Sequence, residues 1–527
     1  MSTTEFSYQF NYETFKGKVN FPTGIFINGK FSAGANRTTI DVINPTNGKF
    51  LTSIAEGTTD DVNRAVDAAK RAFDESWGLR IPGAERGKLL YRLADLMQKN
   101  WDELAALEAL DNGKTFNDAR ATDLTMSVDT IRYYAGWADK NHGQVIETDE
   151  TKLAYTRHEP FGVVGQIIPW NFPLMMMTWK LGPALATGNC VVLKPSELTP
   201  LSALRMCSLI NEAGFPPGVV NVVTGYGETV GRAIAEHMRI DKISFTGSTL
   251  VGRKVMEAAA KSNLKNVTLE LGGKSPNVVF NDADIDLAVH WSIHGIFWNH
   301  GQNCCAGSRI YVQSGIYDEF LKRFTAQAKA LKLGDPFAKD SYQGPQVSQN
   351  QFDRIMEHIE AGKKEGATVH LGGERFGTLG YWIQPTIFTN VRPEMRIVRE
   401  EIFGPVAVVI KFETEQEVIG MANGTEYGLA AALFTKDITR GIQVAHQLQA
   451  GTTWVNCISS LHPNVPFGGC KQSGVGRELG EYALDTSVVF LFILPLHEKM
   501  ANLFVLLFAI SYTNVKAVQV NLGRVLG

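Results

Sequence analysis

Lys242-Ile243-Ser244-Phe245, running into Thr246-Gly247-Ser248-Thr249-Leu250-Val251-Gly252, reads as an apolar strand, a glycine-bearing turn and the start of a helix. Such a junction points unpaired backbone N–H groups and the positive end of a helix dipole at one spot, where an anion such as a phosphate can sit. The spacing departs from G-x-G-x-x-G, and Gly-Ser-Thr before a helix also serves simply as a cap, so both readings stand. Upstream the alternation repeats: strand Val163 to Ile168, the rigid loop Pro169-Trp170-Asn171-Phe172-Pro173, an apolar helical stretch, strand Cys190 to Leu193, helix Leu201 to Ala213, strand Val219 to Val223 and helix Thr229 to His237. Strands alternating with helices wind a parallel sheet, which makes the fold class α/β. Lys194 and Glu197 close the Cys190 strand. There a carboxylate can accept from ribose hydroxyls and a lysine can donate to them; the plainer alternative is two solvated charges.

After Gly272 a second α/β block begins, with Asn277-Val278-Val279-Phe280, a helix around Ala283 to Ile296, strand Ile310 to Gln313 and a helix from Tyr317 to Leu331. It holds Gly301-Gln302-Asn303-Cys304-Cys305-Ala306-Gly307-Ser308-Arg309, a cysteine pair on a small-residue turn. Cysteine is often core filling, yet a thiol on such a turn can be a nucleophile. The case is strengthened by Glu270, which ends the strand-like Asn266-Val267-Thr268-Leu269 before two glycines and can act as a general base. Ahead of Gly162 lie short strands at Phe26 and Thr39, then amphipathic helices from Asp61 to about Asn112, read as scaffold, and a hairpin-like segment from Gln144 to Arg157.

A chain of 527 residues exceeds what one core supports, so two or more domains are expected. With 44% hydrophobic residues, 20% charged residues and a net charge of −3, no basic field draws it to nucleic acid or an acidic membrane, and a small-molecule partner is expected. The six cysteines (190, 207, 304, 305, 457, 470) have neither metal-ligand spacing nor the density of a disulfide scaffold, so reduced thiols and no metal are expected. The first residues have no basic start or apolar core, and the expected location is cytoplasmic.

Taken together, Pro169 to Pro173, Lys194 to Glu197, Phe245 to Thr249, Glu270 to Ser275, Gly301 to Ser308 and Glu400 to Pro405 make the sequence resemble the aldehyde dehydrogenase superfamily, especially its NAD-using fungal members. The resemblance covers residues 20–485 and 512–523. It implies a Rossmann-like cofactor-binding domain (1–138 and 161–271), an α/β catalytic domain (272–472) and oligomerisation segments (139–160 and 473–527) forming a protruding sheet, in a homotetramer. It further implies that aldehydes are oxidised to carboxylic acids with NAD in preference to NADP. Cys304 would be the nucleophile, Asn171 an oxyanion donor together with the Cys304 backbone N–H, and Glu270 the base that hydrolyses the thioester. Ile168, Trp170, Lys194, Glu197, Gly247, Ser248, Gly272, Glu401 and Phe403 would meet the cofactor. Phe172, Met176, Trp179, Trp298 and Leu461 would line the substrate tunnel.

The alternatives are a thiol esterase or hydrolase, which would need a histidine such as His294 or His300 at Cys304, and a catalytically impaired chain. The second follows from the tail. Members of the superfamily run from a segment like Gly480 to Asp485 almost directly into one like Tyr512 to Val518, whereas here Thr486 to Ser511 (TSVVFLFILPLHEKMANLFVLLFAIS) intervenes. Its apolar runs are about ten residues, too short to span a bilayer, so no membrane is expected. Ala501-Asn502 can be encoded by a splicing branch site, and the Phe/Leu/Val-rich run ending in Ile510-Ser511 by a pyrimidine tract with its acceptor. The segment therefore reads as a retained intron placed before an assembly strand, Tyr512 to Asn521. With the insert absent, a homotetramer is expected.

Overall fold

A computed structural model describes residues 4–147, 150, 153–493 and 517–520, with backbone alone at 488–493 and 517–520. The first sheet has eight strands in the order Gly474–Val475, Asn266–Glu270, Lys242–Thr246, Val163–Ile167, Cys190–Lys194, Val220–Val222, Ile25–Ile27 and Lys30–Ser32. Its five strands from Asn266–Glu270 to Val220–Val222 pair in parallel. Val163–Ile167 and Cys190–Lys194 are buried along their whole length, as expected when helices cover both faces. From Val163–Ile167 the chain adds strands on one side, then returns to place Lys242–Thr246 on the other. The direction of winding thus reverses between these two strands, and ligands of such sheets bind beyond the carboxyl ends at that point. Those ends lead into Pro169–Pro173 and Gly247–Ser248.

The second sheet runs Thr368–Leu371, Thr386–Thr389, Val406–Phe412, Arg309–Gln313, Pro276–Val279, Ala430–Phe434, Thr452–Val455 and Ala517–Val520. Every pair in it is parallel except the first. The loops entering three of its strands carry Gly272–Ser275, Cys304–Ser308 and Phe403–Pro405. A third sheet pairs Val145–Ile146, Ala154–Pro160 and Val488–Ile493 in antiparallel register.

Two features add to the sequence reading. A hairpin, Glu5–Asn11 with Lys16–Pro22, precedes the strand at Phe26, and its alternating Phe6 and Phe10 are buried. Val488–Ile493, counted above within the insert, forms the edge beside Ala154–Pro160, whereas residues 494–511 lie outside the described residues. Of the assembly strand expected at Tyr512 to Asn521, Ala517–Val520 lies along Thr452–Val455 of the same chain. Among the described residues no helix is long and apolar enough to cross a membrane.

Candidate active site

Where the carboxyl ends of the first sheet face the loops entering the second, a cleft opens. Asn171, Phe172, Met176, Gly247, Ser248, Glu270, Gly272, Cys304, Glu401, Phe403 and Trp170 all line it, with Gln351 and Arg354 of the helix Gln349–Lys364.

The cysteine turn is built by a backbone reversal. After the helix Ile285–Phe297, Asn299, His300 and Gly301 have φ of 48°, 60° and 72°. At Gly301 a Cβ would lie 2.0 Å from the Gly404 carbonyl, so that position requires glycine on steric grounds as well as conformational ones. The reversal delivers Cys304 to the cleft. Cys305 is 1% exposed and turns away, its thiol 3.2 Å from Asn303 Oδ1 and 3.7 Å from Ser459 Oγ. The neighbouring Cys305 sulfur, burial and the Glu270 carboxylate all push the Cys304 thiol up, which keeps it protonated at rest.

Glu270, at the end of its strand, is 3% exposed, and among the described residues neither carboxyl oxygen meets a partner at hydrogen-bond geometry. Burial first, and then the Glu478 carboxylate, push it up to about 7; the Cys304 thiol, Lys180 and Thr246 pull the other way. Lys180 Nζ donates to Thr246 Oγ1 at 2.7 Å and also bonds the Glu478 carboxylate. The sequence reading gave Lys180, Glu478 and Thr246 no role. The available signal was Lys180 itself, a single charge in the wholly buried helix Pro173–Ala186. A buried lysine needs a partner.

Asn171 sits between two prolines, and Pro173 starts that helix, where a missing N–H costs nothing. Asn171 Nδ2 donates to the Gln302 carbonyl at 3.1 Å, tying this loop to the cysteine turn. The loop's own carbonyls accept from Asn112 Nδ2, at 2.6 Å for Trp170 and 3.5 Å for Asn171. The helix Trp101–Asn112, read as scaffold, therefore reaches the site through its last residue.

Also on the cleft, Ser248 caps the helix Thr249–Lys261, its Oγ accepting from Val251 N at 3.3 Å, so the cap reading of this motif is realised. Gly272 is a close approach, since a Cβ there would lie 2.3 Å from the Glu401 carboxylate. Glu401 Oε1 accepts from Gly273 N at 2.8 Å, and burial pushes its carboxyl up to about 7. Arg354 donates to the Glu401 carbonyl at 3.1 Å and Gln351 to that of Phe403 at 2.8 Å, two contacts that sequence patterning gave no means to find. Phe403 meets Trp170 edge-on at 5.3 Å.

Ile168, Lys194 and Glu197 lie outside this lining. Lys194 Nζ is 3.1 Å from Glu197 at the end of Cys190–Lys194, next to the Ile167 strand end. Of the expected tunnel residues, Phe172 and Met176 line the cleft, and Trp298 stands against Phe172 with ring centres 5.2 Å apart. Trp179, 2% exposed, packs edge-on against Phe467, and Leu461 lies outside the lining. Neither candidate histidine serves the thiol: His294 stacks on Trp298 at 5.1 Å, and His300 Nδ1 accepts from Gly344 N. Burial lowers both, to about 4 and about 3. No group of three His, Cys, Asp or Glu side chains suited to a metal ion occurs among the described residues.

A buried carboxyl and a thiol line one cleft at the switch point of a doubly wound sheet, and that defines an α/β fold whose candidate site lies where ligands of such sheets bind. The chain matches the aldehyde dehydrogenase family over residues 31–489 and belongs to it. An aldehyde dehydrogenase of Agaricus bisporus is 63% identical over 518 residues, covering 98% of this chain and 99% of that one. One from Emericella nidulans is 59% identical over 468 residues, covering 89% and 94%. The NAD+ complex of an aldehyde dehydrogenase from Bacillus cereus superposes with a TM-score of 0.89 at 49% identity, over 90% of this chain and 96% of that one. The chain is thus an enzyme, and its activity class is aldehyde oxidation.

Proposed function

We propose that this enzyme oxidises aldehydes to carboxylic acids with NAD through a covalent intermediate on Cys304. The observation that carries the reading is the shared cleft, lined by Cys304, Glu270 and Asn171 together with the Gly247–Ser248 helix start and Glu401. The residues present fit a dinucleotide: a helix N-terminus for its phosphates, a half-buried carboxylate at Glu401 for ribose hydroxyls, Phe403 and Trp170 for a ring, and Gly272 where a side chain would block approach. Lys194 and Glu197 would hold the second ribose. When bound, NAD supplies a hydride acceptor.

The chain's own groups do the rest. The Cys304 sulfur adds to the aldehyde carbonyl, and its proton passes to Glu270, the adjacent carboxylate whose raised affinity suits that exchange. The carbonyl oxygen, now negative, is met by the Asn171 amide and the Cys304 backbone N–H. Once the carbon has lost its hydride, a thioester joins it to Cys304. Glu270 releases the thiol's proton to solvent and then takes one from water; the hydroxide adds to the thioester, and as the C–S bond breaks Glu270 returns that proton to the leaving sulfur, freeing the acid and the thiol. Phe172 and Met176 give the cleft an apolar wall suited to small and medium apolar aldehydes.

In the same reading the first sheet with residues 1–138 and 161–271 is the cofactor domain, residues 272–472 are the catalytic domain, and 139–160 with 473–527 serve assembly. The enzyme is cytosolic, and it is a homotetramer when the insert is absent. Measuring NAD reduction with acetaldehyde tests the core of the proposal. Cys304→Ala is expected to abolish it and Cys305→Ala to leave most of it; the reverse pattern would reassign the nucleophile.

A further inference from the structure

We propose that Asn299, with Asn112, is a positioning residue that sets the distance between the Asn171 amide and Cys304. The proposal rests on the reading of Asn171 as oxyanion donor. Asn299 Nδ2 donates to two carbonyls, Asn171 and Gln302, each at 3.2 Å. One belongs to the loop leaving the first sheet and the other to the turn that carries the nucleophile. The Gln302 carbonyl also receives Asn171 Nδ2, and the Asn171 carbonyl also receives Asn112 Nδ2. An Asn amide has two N–H bonds. With one of Asn171's committed to Gln302, the other is left for a substrate oxygen, and its direction follows from the bridge beneath it.

Asn299 itself is 2% exposed and does not line the cleft, so it acts through Asn171 and the turn, not on substrate. Its φ of 48° explains why a small polar residue stands there, but not why its amide spans two segments. The far side of the turn is anchored independently, because Gln302 Oε1 accepts from Val347 N at 3.0 Å. Removing the bridge would therefore let the Asn171 loop shift relative to a turn that stays in place. A displacement of about 1 Å in such a constellation costs on the order of 100-fold in rate.

The test uses Asn299→Asp, which keeps the shape and the left-handed preference but has no donor, and Asn299→Gly, which accepts the same φ with no side chain. Asn112→Ala, at a helix end of ordinary geometry, makes the same test should either variant at 299 not fold. Asn171→Ala is the reference. Four quantities are measured: the burst of NADH with acetaldehyde, hydrolysis of p-nitrophenyl acetate without cofactor, the NAD dissociation constant, and the rate of Cys304 alkylation by iodoacetamide. Both reactions pass through an oxyanion, so both should fall by a common factor of about 10 to 100, with cofactor affinity and alkylation within about twofold of wild type. If all four quantities fall together, or if the variants keep both reactions while Asn171→Ala loses them, the inference is overturned. If Asn171→Ala itself keeps both reactions, it is the oxyanion reading that fails.

Discussion

Glu270→Gln should separate the two halves of the reaction, and its effect should depend on pH in a way the structure sets. The carboxyl is held at about 7, against an ordinary 4.5, chiefly by burial and next by Glu478. A base with that affinity is roughly 91% ionised at pH 8 and roughly 9% at pH 6, so turnover limited by thioester hydrolysis should fall about tenfold between them. Stopped flow in the wild type should show an NADH burst at both pH values, with the steady phase slowing as pH falls. In Glu270→Gln the burst should persist while the steady phase is nearly lost at every pH. Glu478→Gln removes a charge that raises Glu270, so its steady phase should decline at lower pH than in wild type. The same shift can be read in stability. Because the folded form holds the proton more tightly, Glu270 favours the fold below pH 4.5, and that contribution is lost as pH rises through about 7. The rise from 4.5 to about 7 corresponds to about 3 kcal/mol. Glu270→Gln, neutral throughout, should therefore unfold at higher urea than wild type at pH 8, with the gap closing toward pH 5. A steady rate that is flat between pH 8 and 6, or unchanged in Glu270→Gln, would refute the reasoning.

Three further outcomes follow from particular contacts. Glu197→Gln should raise the efficiency with NADP relative to NAD by roughly tenfold, since a half-buried carboxylate repels a 2′-phosphate; a wild type that prefers NADP would end that assignment. Lys114 is fully buried, bonds Asp123 and lies 3.9 Å from Glu108 and 4.3 Å from the Phe172 ring. Lys114→Met should cost about 3–5 kcal/mol in urea unfolding by stranding two carboxylates, and a loss under 1 kcal/mol would show the cluster to be self-sufficient. Deleting residues 486–511 should give a tetramer by light scattering, and the mature message should lack the insert; a message that encodes it, with a soluble active tetramer containing it, would contradict the intron reading.

The parallel sheet was legible in the sequence because its strands are short buried runs punctuated by turn residues, and the Lys242–Thr246 strand and its glycine turn fall where they were read. Residue type and a glycine-flanked strand end marked Glu270 as a base for the cysteine turn, but its role beside Cys304 in particular came through family resemblance, as no local pattern links residues on two sheets. What patterning does not show is the support under the site. The helix that Asn112 ends was expected to be amphipathic but is buried on every side from Leu104 onward, and Asn112 looks in sequence like any C-terminal polar residue; Asn299 looks like a turn former. Their bonds to Trp170, Asn171 and Gln302 depend on how the loops of the two large sheets meet. The N-terminal hairpin was overlooked for a different reason: its turn, Tyr12 to Phe15, contains no glycine or proline to mark it.

Three successive positive φ angles, at Asn299, His300 and Gly301, place an unusual demand on any sequence that keeps this fold. Each left-handed step costs a residue other than glycine roughly 1–2 kcal/mol. In a library of all single substitutions scored for folding and not for activity, positions 299 and 300 should tolerate Asn, Asp and Gly and reject Val, Ile and Thr, although neither side chain lines the cleft. Position 301 should accept glycine alone. The tightest sequence constraint in the enzyme would then fall not on the reacting groups but on the hinge of backbone that presents one of them, and drift in this lineage would be slowest where the chain bends the wrong way.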